Sequence, residues 1–127
     1  MAFIDTNILL RWLLGDRAEL SKKAEKLIDN AKSASLLVTE IVASEIVYVL
    51  RGTGRDRHQV AEALLLIGRT PSLKYENEEL MQDVINLIAS TSLDFADCYL
   101  LARAKRENIG LETYDKQLTN KYRASKD

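Results

Sequence analysis

Four acidic side chains stand where an acid is costly. Asp5 falls between two apolar runs, Phe3-Ile4 and Ile8-Leu9-Leu10, and burying a carboxylate without a partner is expensive. Glu45 has Ile41, Val42 and Val49 as neighbours on a helical face. Asp97 has Leu100, Leu101 and Ala104 in the same relation, and Asp115 follows Thr113-Tyr114. This spacing predicts that Glu45 and Asp97 point toward the body of the protein or toward a cleft beside it.

Each acid alone has a simpler account. Asp94 precedes a helical pattern and suits an N-cap. Asp97 would then hold the third helical position of an imperfect capping box. Glu45 could pair with Arg11, Arg51 or Arg55, and Asp115 could belong to a turn. Asp5 has no turn signal beside it. As a set the acids are harder to explain. Gathered within roughly 5 Å, each like-charge pair would cost about 3 kcal/mol at an effective dielectric near 20. Several such pairs would consume much of a folding free energy of about 5–15 kcal/mol. Protons or cations must then compensate them, and all-oxygen donors favour Mg²⁺ or Mn²⁺. Zinc is disfavoured with one Cys and one His in the chain.

Other chemistry lacks equipment. The single histidine, His58, sits in Arg55-Asp56-Arg57-His58 and reads as solvated surface, so a pair of acid–base histidines is excluded. Ser44 beside Glu45 has no nucleophile-elbow context. The five glycines form no phosphate loop. Cys98 reads as a small buried thiol. Metal-assisted chemistry remains: one or two Mg²⁺ ions can activate water and stabilise charge on a phosphate in an in-line displacement.

The elements that must position these acids alternate. Residues 2–5 predict a buried strand, and 17–32 a helix with Leu20, Ala24, Leu27, Ile28 and Ala31 on one face. Residues 35–39 read as a strand, 40–51 as a helix broken at Gly52-Thr53-Gly54, and 57–68 as a helix ended before Pro71. Residues 73–75 suggest a third strand. Asn77 offers a cap for a helix carrying Leu80, Met81, Val84, Ile85 and Ile88 on one stripe. Residues 94–107 predict another helix, 109–113 a last strand, and the tail from Lys116 is polar. This alternation argues for an α/β fold, a parallel sheet covered by helices. Ligands then sit at the carboxyl ends of the strands, where Asp5 and Asp115 fall.

Composition agrees with one ordinary domain spanning residues 1–127. Hydrophobic residues make up 46% and charged residues 29%, a globular mix. Eighteen basic and 19 acidic residues leave a net charge of −1, so nucleic acid would need a local basic patch. Arg11, Arg51, Arg55, Arg57, Lys116 and Lys121 are candidates. A single cysteine suits a reducing cytoplasm. No apolar run approaches the ~20 residues of a membrane span, and Met1 leads almost directly into the first strand, leaving no room for a signal peptide.

Asp5-Thr6-Asn7, Glu45 in Ser44-Glu45-Ile46, Asp97 in Phe95-Ala96-Asp97-Cys98-Tyr99-Leu100-Leu101-Ala102, and Thr113-Tyr114-Asp115 together resemble the motif set of PIN-domain ribonucleases. Their order, their spacing and the stretch from Asp5 to Leu14 are similar to the VapC-type toxins of toxin–antitoxin pairs. The resemblance covers about residues 2–120. It implies a three-layer α/β/α fold with the acids at the carboxyl edge, RNA cleavage with Mg²⁺ or Mn²⁺, a homodimer, and inhibition by a small antitoxin. Asp5, Asp97 and Asp115 would be metal ligands, and Glu45 a ligand or the group orienting the attacking water. Thr6, Asn7 and Thr113 would orient carboxylates or bind a phosphate. Glu112 departs from the aliphatic residue expected in a central strand, and Asp94 adds a fifth acid.

Two rivals stay open. One is a catalytically silent PIN module that binds RNA or a protein partner. The other is a different Mg²⁺-dependent α/β protein, a phosphatase of the haloacid dehalogenase type or a receiver domain. Against the phosphatase, Asn7 occupies the place where it needs a second Asp.

Overall fold

A computed structural model describes residues 1–125. The chain folds as two compact units, Met1–Glu78 and Glu79–Asp127.

The first unit holds the sheet. Strands β1 (Ala2–Phe3), β2 (Leu36–Val38) and β3 (Leu73–Tyr75) run parallel in the order β1-β2-β3. Ala2 pairs with Leu36, and Leu36 with Leu73. Parallel neighbours need a crossover, and here each crossover is a helix pair. Helices α1 (Thr6–Leu14) and α2 (Ala18–Asn30) join β1 to β2, and α3 (Glu40–Gly52) and α4 (Arg57–Arg69) join β2 to β3. Helix α1 packs on α2 and α3, α3 on α4, and α4 on β3. Leu9, Ile28, Val38, Ile46, Leu50, Val60, Leu64 and Ile67 are fully buried. Two buried hydroxyls are satisfied by backbone: Ser72 donates to the Ile28 carbonyl and Tyr75 to that of Leu64, both at 2.6 Å.

The second unit is helical, with nearly all of α5 (Glu78–Ser90), then α6 (Phe95–Glu107) and α7 (Lys116–Ser125). Leu80, Met81, Val84, Ile85, Ile88, Cys98, Leu101 and Leu118 are buried. The Arg106 guanidinium ties α6 to α5 by pairing with Asp83 and Glu79. Helix α6 packs on α7, and Gln117 reaches back to the Ser92 hydroxyl at 2.6 Å.

The chain is therefore α/β with a parallel sheet, as expected, and is consistent with a three-layer α/β/α class. Two local expectations are corrected. The first strand ends at Phe3, and the apolar run after Asp5 is a helix, α1. Residues 109–113 form no strand. Asn108 turns left-handed at φ 53° to end α6, Ile109 closes back onto the Ala104 carbonyl, and Ile109, Gly110 and Glu112 are exposed. An exposed Glu112 is unremarkable once it lies outside a strand. The tail from Lys116 is polar as expected, and it forms a further helix, α7.

Candidate active site

Asp5 and Glu45 belong to the first unit. Asp5 follows β1 and begins α1: its carboxylate accepts the Ile8 backbone N–H at 3.1 Å as the helix N-cap. Thr39 follows β2 and caps α3 in the same way, accepting from Val42 at 3.1 Å. Because β1 and β2 are parallel neighbours, α1 and α3 start at one edge of the sheet, the carboxyl edge. Thr6 is the first residue of α1 and partly buried, and Asn7 is exposed beside it. Glu45 lies five residues into α3, about 7.5 Å along its axis. It is exposed rather than inward-pointing, and so are its helical neighbours Ile41 (74%) and Tyr48 (82%). Apolar neighbours therefore did not imply burial. The arginines available as partners are engaged elsewhere or exposed: Arg11 pairs with Asp16 at 3.0 Å, Arg55 bonds the Thr53 hydroxyl, and Arg51 is exposed.

Asp97 and Asp115 belong to the second unit, also at helix starts. Asp94 is the N-cap of α6 and accepts the Asp97 N–H at 2.9 Å. Asp115 accepts the Leu118 N–H at 2.8 Å at the start of α7. The Thr113 hydroxyl oxygen in turn accepts the Asp115 N–H at 3.0 Å, fixing that turn. Asp97 is partly buried while Asp94 and Asp115 are exposed. Its carboxyl pKa is raised, first by desolvation, then by the charges of Asp94 and Asp115 and by a side-chain hydrogen bond with Asp94. The structure thus brings Asp97, Asp94 and Asp115 within electrostatic reach of one another.

Three of the four proposed acids therefore sit at helix N-termini, where free N–H groups and the helix dipole favour negative charge by roughly 0.3–1 kcal/mol each. Backbone, before any cation, answers part of their cost.

The PIN domain family model matches residues 2–124. The chain belongs to the PIN domain family. No curated protein and no solved structure matches it. PIN domains are generally nucleases that act on RNA and typically use a divalent metal.

In this PIN domain the donor chemistry suits a hard cation. The oxygens at Asp97, Asp94 and Asp115 are carboxylate oxygens, and Asp97 resists ionisation through partial burial and its two acidic neighbours. A divalent cation there would relieve that repulsion. Among the described residues, no three His, Cys, Asp or Glu side chains are already grouped as a metal cage. No helix among those residues is long and apolar enough to cross a membrane.

A cavity of about 610 Å³ opens between α1 and α2, lined by Asn7, Ile8, Arg11, Leu20, Leu27 and the cations Arg17 and Lys23. The sequence pattern singles out Asn7 and Arg11 but not Arg17 and Lys23. The signal for these two lay in the short Gly15-Asp16 connection, which folds the start of α2 back beside α1.

Proposed function

We propose that this PIN domain, one domain over residues 1–127, is a Mg²⁺- or Mn²⁺-dependent endoribonuclease that cleaves RNA phosphodiester bonds. We read it as the VapC-type toxin of a toxin–antitoxin pair, a cytoplasmic homodimer held in check by a small antitoxin. The observation that carries this reading is Asp97: a partly buried acid at the start of α6 whose N–H is held by Asp94, its proton held more tightly by that burial and by the charges of Asp94 and Asp115. Perturbed acids of this kind concentrate at functional sites, and this one lies at a motif position of a family of nucleases.

Asp97 and Asp115 would hold the cation, with Asp5 as a further ligand and Glu45 as a ligand or the acid that orients water. When bound, the cation would supply charge stabilisation and an activated water. Thr113 fixes the Asp115 turn through its hydroxyl, Thr6 opens α1 beside Asp5, and Asn7 faces the basic cavity where a phosphate would pass. The test is cleavage of RNA by purified protein with Mg²⁺ or Mn²⁺, wild type against Asp97→Asn. Loss of cleavage in the variant is expected, and equal activity would remove Asp97 from the site.

One observation favours the silent module instead. Asp5, Asp94 and Asp115 each already serve as a helix cap, a structural role that needs no catalysis. Calorimetric titration with Mn²⁺ separates the two readings, because the silent module predicts no binding and the nuclease predicts binding lost in Asp97→Asn.

A further inference from the structure

The helical unit holds a cavity of its own, of about 670 Å³, between α5, α6 and α7. That volume falls within the range of small-molecule sites, roughly 300–1,000 Å³. Its apolar wall includes Leu101 and Ala102, both buried, and the partly buried Leu87. Asp83 and Asn86 of α5, Lys105 and Arg106 of α6, and Lys121 of α7 supply the polar lining. None of the proposed active-site acids lines it. Lys105 lies eight residues after Asp97 on α6, about 12 Å along the axis, and Lys121 lies six residues after Asp115.

The charges of this lining do not cancel. The Arg106 guanidinium is committed to Asp83 and Glu79. Lys105 and Lys121 have no ion pair among the described residues. Two ammonium groups from two helices therefore stand at one apolar cavity with no acid holding either. Asn86 adds a donor: its side-chain oxygen accepts from Gln82 at 3.0 Å, which leaves its NH₂ group to donate. Lysine binds phosphate as a point charge. Two such charges match a phosphate monoester, which carries about −1.5 to −2 at pH 7. A carboxylate, with a single charge, would leave one lysine unanswered. The apolar wall selects further, for a phosphate that carries an apolar or flat body.

We infer that the cavity between α5, α6 and α7 is a binding site for a small phosphate monoester with an apolar or flat body. The phosphate sits on Lys105 and Lys121, and the body lies against Leu87 and Leu101. A ligand so held ties α6 to α7. The site does not depend on the nuclease reading, because it uses none of the proposed acids and its test involves no cleavage.

Calorimetric titration of the full chain, in phosphate-free buffer with EDTA, takes phenyl phosphate as the probe. Inorganic phosphate lacks the body, and benzenesulfonate keeps the ring but carries a single charge. Phenyl phosphate is expected to bind roughly tenfold more tightly than either. Lys105→Ala and Lys121→Ala should each weaken it by roughly tenfold, the scale of losing one hydrogen bond to a charged group. Lys22→Ala removes an exposed lysine from α2, in the first unit, and should leave binding unchanged. Without ligand, both cavity variants should melt with wild type, because their side chains are exposed. Absence of phenyl phosphate binding, equal affinity for the three probes, or unchanged binding in both cavity variants overturns the inference. Equal weakening in Lys22→Ala does so too, since it would report net charge rather than a site. Displacement of phenyl phosphate by a 5′-phosphorylated RNA, but not by its 5′-hydroxyl form, would assign the cavity to an RNA end and likewise overturn the small ligand.

Discussion

Asp94 supports Asp97 through the backbone and opposes it through the side chain. Its carboxylate accepts the Asp97 N–H at 2.9 Å and so begins α6. Partial burial comes first in raising the Asp97 pKa, and the charges of Asp94 and Asp115 add to it. A helix start that needs an acid at its cap thereby places a second, partly buried acid one turn in. Local folding chemistry thus leaves Asp97 with a charge that its surroundings disfavour.

That arrangement predicts the pH dependence of stability. Below the ordinary carboxylate value of 3.8, folded and unfolded chains both hold the Asp97 proton and the acid costs nothing. Above 3.8 the unfolded chain releases its proton first, so folding loses stability until the folded carboxyl ionises as well. Asp97→Asn should therefore raise the melting temperature in EDTA at pH 7 and leave it unchanged near pH 3. Scanning calorimetry at both values checks this, and an Asn variant no more stable than wild type at pH 7 would contradict it. Mg²⁺ should stabilise wild type more than the variant, since only the wild type gains from neutralising the cluster.

Caps and catalysis can be separated at Asp5 and Asp115. Asn caps a helix about as well as Asp, whereas Ala loses roughly 0.5–2 kcal/mol. Asp5→Asn and Asp115→Asn should keep urea midpoints close to wild type yet lose RNA cleavage by about 100-fold or more, the scale of removing a group that acts on the reacting atoms. The Ala variants should lose both. Asn variants with full activity would leave these acids as caps alone.

Much of the fold was legible where apolar pattern and breakers agreed. Leu73–Tyr75 was bounded by Pro71 and Asn77, and α3 and α4 by Thr39, Gly52 and Asp56. Helix α1 drew no expectation, although Thr6–Leu14 is helical. Its ends were nonetheless readable, with Asp5 as N-cap and Gly15 left-handed at φ 60° as C-cap. Residues 109–113 misled for the opposite reason: β-formers are present, but a strand exists only with a ladder partner, which no local pattern reports. At the site, Asp94 as a cap was readable from its place before a helix. The exposure of Glu45 was not, because its apolar neighbour Ile41 looked like core and is surface.

Glu45 has an exposed side chain with no ion pair or hydrogen bond among the described residues. Glu45→Gln should therefore change folding stability by less than about 0.5 kcal/mol, as exposed substitutions do. If Glu45 orients water or a cation, kcat should still fall by about 10- to 100-fold while KM stays near wild type. Steady-state cleavage with urea denaturation alongside gives both numbers. A rise in KM with unchanged kcat would move Glu45 from the chemistry to substrate binding.

The cavity between α1 and α2 makes the last prediction. Arg11 is partly neutralised by Asp16 at 3.0 Å, whereas Arg17 and Lys23 line the same cavity without an ion pair among the described residues. If a chain with net charge −1 is to hold RNA, local cations such as these must do it. Arg17→Ala and Lys23→Ala should each weaken binding of any RNA sequence to a similar degree and lower the slope of log K against log salt by up to about one. Arg11→Ala should do less, because Asp16 already holds that guanidinium. Filter binding over a series of salt concentrations distinguishes the cases: an unchanged slope in both Arg17→Ala and Lys23→Ala would show that the phosphate backbone does not pass between α1 and α2.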